Sequence, residues 1–171
     1  MDMMEEGFYT QRMKQRIYMK TSIVSYLAAR PSRDLISAAR QQITHEWWLR
    51  RRTAFEVYVS ELMIAEASAG DPEAAARRAS YLSDLEVLDI SVEETELARR
   101  ILETAHLPRA AMADALHVAV AACNGMDFLL TWNSAHIADA ELRPLIDQAC
   151  RGSGYVPPIL CTPDALMGVQ E

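Results

Sequence analysis

Two carboxylates distant in the chain, Glu66 and Asp114, and a lysine, Lys20, stand where apolar runs give way to polar ones. Lys20 separates "RIYM" from "TSIVSYL", with Thr21 and Ser22 following it. Glu66 lies in "ELMIAEASAG", and Asp114 opens the otherwise apolar "AMADALHVAVAACNG". If both acids project over one edge of a sheet, they form a pair able to hold Mg²⁺ or Mn²⁺ through oxygen ligands. Such an ion activates water and offsets charge on a phosphodiester. Each acid also has a plainer reading. Asp114 complements a helix dipole, a gain of about 0.3–1 kcal/mol, and Glu66 suits a solvated helix face. His117, one turn after Asp114, reads as a hydrogen-bonded core residue. Asn133 and Ser134 follow "LLTW", where either can cap the next helix. Trp47 and Trp48 before "RRR" suit stacking on single-stranded nucleic acid or, the preferred reading, an amphipathic helix end with cations at its C-terminus. No glycine-rich phosphate loop, GxSxG elbow, HExxH or metal-spaced cysteine set occurs.

The elements that must position these residues alternate between strand and helix. "QRIYM" (Gln15 to Met19) reads as a strand and "TSIVSYLAA" as a helix that stops at Pro31. Ser32 is placed to cap a long helix from Arg33 to about Thr53. A strand at Phe55 to Ser60 precedes a short helix ended by Gly70. Asp71-Pro72 then opens the helix "EAAARRASYLSDL", and a strand runs from Glu86 to Ile90. Ser91 with Glu94 forms a capping box for "VEETELARRILETA". Gly125 closes the helix carrying Asp114, "DFLLTW" is a strand, a helix runs from about Ala135 to Cys150, and "PPILCT" is the last strand. This alternation predicts an α/β fold, a three-layer α/β/α sandwich around a central parallel sheet. Ligands in such sheets sit beyond the carboxyl ends of the strands. Lys20, Thr21 and Ser22 belong there by register.

With 171 residues, half of them hydrophobic, the chain suits one globular domain. Residues 1–14 read as an extension that need not be ordered, and 15–171 as a single domain. A formal charge of -7, from 17 Lys+Arg against 24 Asp+Glu, means that nucleic-acid binding would need a local basic patch. The odd, widely spaced cysteines Cys123, Cys150 and Cys161 point to no disulfide framework or zinc site and to a reducing cytoplasm. No apolar run reaches membrane-span length, so no membrane partner is expected.

Taken in order, "IYMKTSIVSYL", "VSELMIAEASAG", "MADALHVAVAACNGMDFLLTWNSAHI" and "GYVPPILCTPDAL" resemble the PIN-domain family, specifically the VapC-like toxins of type II toxin–antitoxin systems. The likeness runs from about Ile17 to Met167. It implies a PIN-like α/β/α sandwich with an acidic pocket for Mg²⁺ or Mn²⁺. The activity implied is metal-dependent cleavage of RNA, with catalytic residues Glu66, Asp114 and Asn133 and metal ligands Glu66 and Asp114. Thr21 or Ser22 would support a water or phosphate oxygen. The resemblance also implies a cognate antitoxin and a homodimer. Where the family carries its first acid, as in "YLDTS" or "YIETT", this chain has Lys20, and its fourth acidic position is Asn133. An ammonium has three donors and no acceptor and cannot ligate a divalent cation. The expectation is an impaired ribonuclease or, alternatively, an inactive PIN-like module that binds RNA or an antitoxin.

Overall fold

In the computed structural model of the chain, the described residues are 13–132, 137 and 139–169. A five-stranded sheet, all pairings parallel, has the order β3-β2-β1-β4-β5. Its strands are β1 (Arg16–Met19), β2 (Glu56–Ser60), β3 (Glu86–Leu88), β4 (Phe128–Leu130) and β5 (Ile159–Cys161). Helices α1 (Thr21–Ala28), α2 (Leu35–Arg50), α3 (Glu61–Ala67) and α4 (Pro72–Ser80) connect the first three strands, and α5 (Val92–Thr104), α6 (Met112–Cys123) and α7 (Arg143–Gly152) serve the rest.

Strand alternation sorts the core into two halves. Ile17, Met19, Val59 and Leu130 pack with α1, α2 and α3. Tyr18 and Leu129, offset by one residue, face the opposite layer of α5, α6 and α7. The result is the expected three-layer sandwich. Ile17, Tyr18 and Met19 are fully buried, as befits a central strand covered on both sides. Succession along the sheet reverses at β1, which lies between β2 and β4. The crevice beyond the carboxyl ends of β1 and β4 is therefore the topological switch point, where open α/β sheets hold their ligands. Lys20 leaves β1 there, its backbone N–H donating to the Leu130 carbonyl at 3.0 Å.

Several boundaries differ from the sequence reading. Asp34, not Ser32, caps α2, accepting from the Ser37 N–H at 2.9 Å. Ser32 instead accepts from the Asp34 N–H at 3.1 Å and holds the approach to the helix. The helix ends at Arg50 rather than Thr53, and Arg52–Ala54 make a separate 3₁₀ turn. The "DFLLTW" strand stops at Leu130, which frees Trp132 to leave the sheet. β3 likewise stops at Leu88 rather than Ile90. The last helix is regular from Arg143, where Pro144 occupies its first turn, and Ala135, where the sequence reading starts it, lies outside the described residues. The proposed extension 1–14 falls largely, at residues 1–12, outside the described residues.

Other signals hold as read. Asp71 caps α4 ahead of Pro72, and Ser91 with Glu94 forms the capping box of α5. Gly125 closes α6 with φ 65°, a conformation that favours glycine. The cysteines are free, and desolvation pushes the thiols up to about 11 at Cys123 and Cys150 and about 12 at Cys161.

Glu94 links two helices. It accepts from the Ser91 N–H at 2.8 Å and, through its other oxygen, from the Asn124 amide at 3.3 Å. Burial is the largest influence and pushes its carboxyl up, but the Ser91 and Asn124 hydrogen bonds outweigh it and hold the group below its ordinary 4.5. A carboxyl lowered by folding stabilises fully above that ordinary value and loses its contribution as the pH falls through the folded one. Glu94→Gln is expected to cost about 1 kcal/mol at neutral pH, typical of a lost cap. It should also flatten the decline in stability below pH 4.5. Urea midpoints measured across pH for both proteins check this, and parallel acid limbs would refute it.

Candidate active site

The switch-point crevice opens into a cleft of about 870 Å³, within the usual range of roughly 300–1,000 Å³ for ligand sites. Lys20, Thr21, Ser22, Glu66 and Asp114 all line it. Residues scattered over the sequence thus converge because β1 ends, and the helix after β2 and the helix before β4 begin, at one sheet edge.

The Lys20 Nζ donates to Asp114 Oδ1 at 2.7 Å. Lys20 is only 5% exposed, whereas the Asp114 side chain keeps 26%. The lysine stem is buried against the core while its ammonium reaches the cleft floor. Glu66 is held from the other side. His117 Nε2 lies 3.0 and 3.1 Å from its two carboxylate oxygens, and the Thr21 hydroxyl donates to Oε2. Desolvation is the strongest influence on Glu66 and pushes its carboxyl up. The hydrogen bonds from His117 and Thr21 and the Lys20 charge together hold it below the usual carboxylate range.

An ionised carboxylate only accepts, so His117 Nε2 carries its proton toward Glu66, and in the neutral imidazole Nδ1 then accepts from the Tyr18 hydroxyl at 2.7 Å. Tyr18 lies 2.6 Å from Ser60 Oγ, and Ser60 Oγ accepts from the Met63 N–H at 3.2 Å. One direction of donation then satisfies every member: Met63 N–H to Ser60, Ser60 to Tyr18, Tyr18 to His117, His117 to Glu66. Ser60 caps α3, the helix that carries Glu66, so the relay fixes both ends of that helix. Ser22 supports the opposite wall. Its Oγ accepts from the Trp132 backbone N–H at 2.9 Å and lies 3.2 Å from Thr131 Oγ1.

The described donor set does not fit a divalent cation. The facing oxygen of Asp114 is occupied by an ammonium, and both Glu66 oxygens accept from His117. Among the described residues no group of three or more His, Cys, Asp or Glu side chains is arranged to hold a metal. Asn133, expected to complete the site, and Ser134 lie outside the described residues. The structure therefore brings together Lys20, Thr21, Ser22, Glu66 and Asp114.

His117 combines its expected buried, hydrogen-bonded role with direct contact to Glu66. Its spacing of one turn from Asp114 is the only sequence signal for that contact. Ser60, at the end of its strand, is one of the positions where the sequence points to the ligand edge, whereas Tyr18 and the α2 side chains Arg40 and Gln41, which line the cleft, give no such signal. The tryptophan pair offers no stacking platform. Trp47 is fully buried, and Trp48 packs edge-on against Tyr81 at 5.5 Å with the Arg52 guanidinium 4.4 Å above its ring. The preferred helix-end reading thus holds.

The relay predicts non-additivity. His117→Ala leaves the Tyr18 hydroxyl, wholly buried, without its acceptor, a cost of about 1–3 kcal/mol before any cavity is counted. Tyr18→Phe removes that hydroxyl. The double variant is therefore expected to be more stable than the sum of the single losses implies, as measured by chemical denaturation. Strict additivity would break the proposed chain.

The sequence profile of the PIN domain family matches residues 17–140. No curated protein sequence matches the chain. Among solved structures, Mycobacterium tuberculosis VapC20, a sarcin-ricin loop cleaving toxin, shares 18% identity and superposes with a TM-score of 0.54, covering 82% of this chain and 96% of its own. VapBC2 from Rickettsia felis, solved bound to a DNA fragment from their promoter, also shows 18% identity and a TM-score of 0.54, covering 86% of this chain and 98% of its own. At such identity the likeness is one of fold. No helix among the described residues is long and apolar enough to cross a membrane.

Proposed function

The chain belongs to the PIN domain family, and on that premise we propose that it is a VapC-like protein, by lineage a metal-dependent endoribonuclease toxin. In this chain the inherited activity is impaired. The observation that carries this reading is the 2.7 Å contact of Lys20 with Asp114 at the floor of the cleft. There the family places an acid, and this chain supplies a cation that consumes one of the remaining acids. Glu66 and Asp114 are the retained catalytic carboxylates, Asn133 the neutral replacement of the fourth, and Thr21 and Ser22 their polar support. Mg²⁺ or Mn²⁺ belongs to the lineage, and no hydrolytic step is assigned to this chain through such an ion.

The fold shared with VapC20 and VapBC2 supports RNA as substrate and a cognate antitoxin as partner. A homodimer, a cytoplasmic location and residues 15–171 acting as one domain complete the reading. The burial of Lys20 and its completed ion pair favour a second reading. In that reading the chain is a catalytically silent module that binds RNA or an antitoxin.

RNA cleavage in Mn²⁺ by the parent chain and by Lys20→Asp and Lys20→Glu separates these readings. An impaired nuclease gains at least about tenfold in rate on restoration of the acid, equivalent to 1.4 kcal/mol. Asp114→Ala in the same background abolishes the gain. RNA that still binds but is never cut, with any of these residues at position 20, supports the module. Metal-dependent cleavage by the parent, lost in Asp114→Ala, would show that Lys20 does not impair the site.

A further inference from the structure

The outer wall of the cleft, away from Lys20 and Asp114, contains side chains that neither reading uses. Trp132 is fixed there at two points. Its backbone N–H donates to Ser22 and its indole Nε1–H donates to Thr44 Oγ1 at 2.7 Å. Thr44 in turn donates to the Arg40 carbonyl at 2.6 Å. The Arg40 guanidinium lies 5.4 Å from the indole centroid, and Tyr26 meets the indole edge-on at 6.1 Å.

The rim above is also held. Gln41, 8% exposed, accepts from the Ser32 N–H and donates to the Arg30 carbonyl, both at 2.9 Å. These contacts clamp the loop before α2 against that helix.

Arg40 is the unspent group in this wall. Among the described residues it forms no ion pair, and its side-chain hydrogen bond is one long contact, 3.5 Å, to the Tyr26 hydroxyl. Arg30, on the rim, meets Glu73 only at 3.5 Å with its side chain 78% exposed. Deeper in, Lys20 and Asp114 pair with one another and Glu66 keeps its negative charge among its hydrogen-bond donors. At the mouth the lining charges are the cations Arg40 and Arg30, with Asp34 acting on Arg40 from the start of α2, on a chain whose formal net charge is -7.

A guanidinium layered on an indole has free donors at its edge for an anion and a planar face for stacking. A lone carboxylate would use the first and waste the second. A phosphate carrying an aromatic base uses both.

We propose that Trp132, Arg40 and Tyr26 form a metal-independent subsite for one unpaired nucleotide of single-stranded RNA. The base stacks on the Arg40–Trp132 layer, and Arg40 and Arg30 hold a flanking phosphate. The choice of RNA rests on the functional reading above, whereas the subsite itself requires neither a metal nor cleavage.

The test measures fluorescence anisotropy of a labelled single-stranded RNA 12-mer with the full chain in metal-free buffer, beside an abasic ribose-phosphate oligomer of equal length. Loss of one stacked base is worth about a tenfold fall in affinity. Trp132→Leu, Arg40→Met and the abasic oligomer should each show about that loss. The abasic oligomer should lose nothing further on Trp132→Leu, because the interaction is then already absent. Trp132→Phe, which keeps an aromatic face, should retain most of the affinity and guards against misfolding. Arg100→Met, in the opposite helical layer, should leave binding unchanged.

Equal binding of RNA and abasic oligomer, or binding indifferent to Trp132→Leu, overturns the subsite. Oligoglutamate binding that needs Arg40 but not Trp132 would assign the cleft to an acidic protein segment and overturns it too. Failure of the Lys20→Asp protein to cleave RNA while Trp132-dependent binding persists refutes the nuclease reading alone. Absence of RNA binding refutes the subsite alone if the Lys20→Asp protein still cleaves.

Discussion

An ammonium withdrawn from water at the end of a central strand costs several kcal/mol unless a charge of opposite sign meets it at hydrogen-bond distance. Lys20 is in that position, and Asp114 answers it at 2.7 Å. The contact ties the tip of β1 to the first turn of α6, and so joins the two sides of the switch point. With Asp114 engaged, Glu66 could not also rely on Lys20 alone. Its partners come instead from His117 behind it and Thr21 beside it. The cleft floor is thus a set of mutually satisfied charges.

The relay through His117 shows how the layers cooperate. Tyr18 points into the α5–α6–α7 half of the core, yet its hydroxyl joins Ser60, the cap of a helix on the other half. A polar chain of this kind is tolerable inside a core only if each member is paired, because an orphaned hydroxyl in low dielectric is costly. The apolar packing of "RIYM" and "FLL" positions the strands. The polar chain then sets the orientation of one carboxylate.

Much of the fold was legible because period, caps and breakers agree. Asp71-Pro72, Ser91 with Glu94, and Gly125 each mark a helix end through local chemistry, and each does so in the structure. Boundaries slipped where neighbours compete for the same role. Ser32 and Asp34 are both good caps, and only the carboxylate reaches the helix N–H groups. Trp132 read as strand because its side chain is apolar, yet it leaves the sheet as its N–H and indole find partners in α1 and α2. The place of Lys20 and Asp114 beside the cleft was legible because one follows a strand end and the other lies in a first helical turn, whereas Glu66, in the last turn of α3, carried only the signal of an acid on a short helix after a strand. Arg40, Gln41 and Tyr18 were not. An arginine or glutamine on a long helix looks like any solvated residue until the tertiary fold turns it toward a cleft.

The Lys20 ammonium differs in kind from a divalent ion. A bound divalent ion comes and goes with its concentration and can be stripped by a chelator, so a centre built around one is conditional on its surroundings. A charge on a side chain is tethered, with a local concentration set by the stem and not by the medium. The electrostatic balance of this cleft is consequently constitutive. It is established when the chain folds.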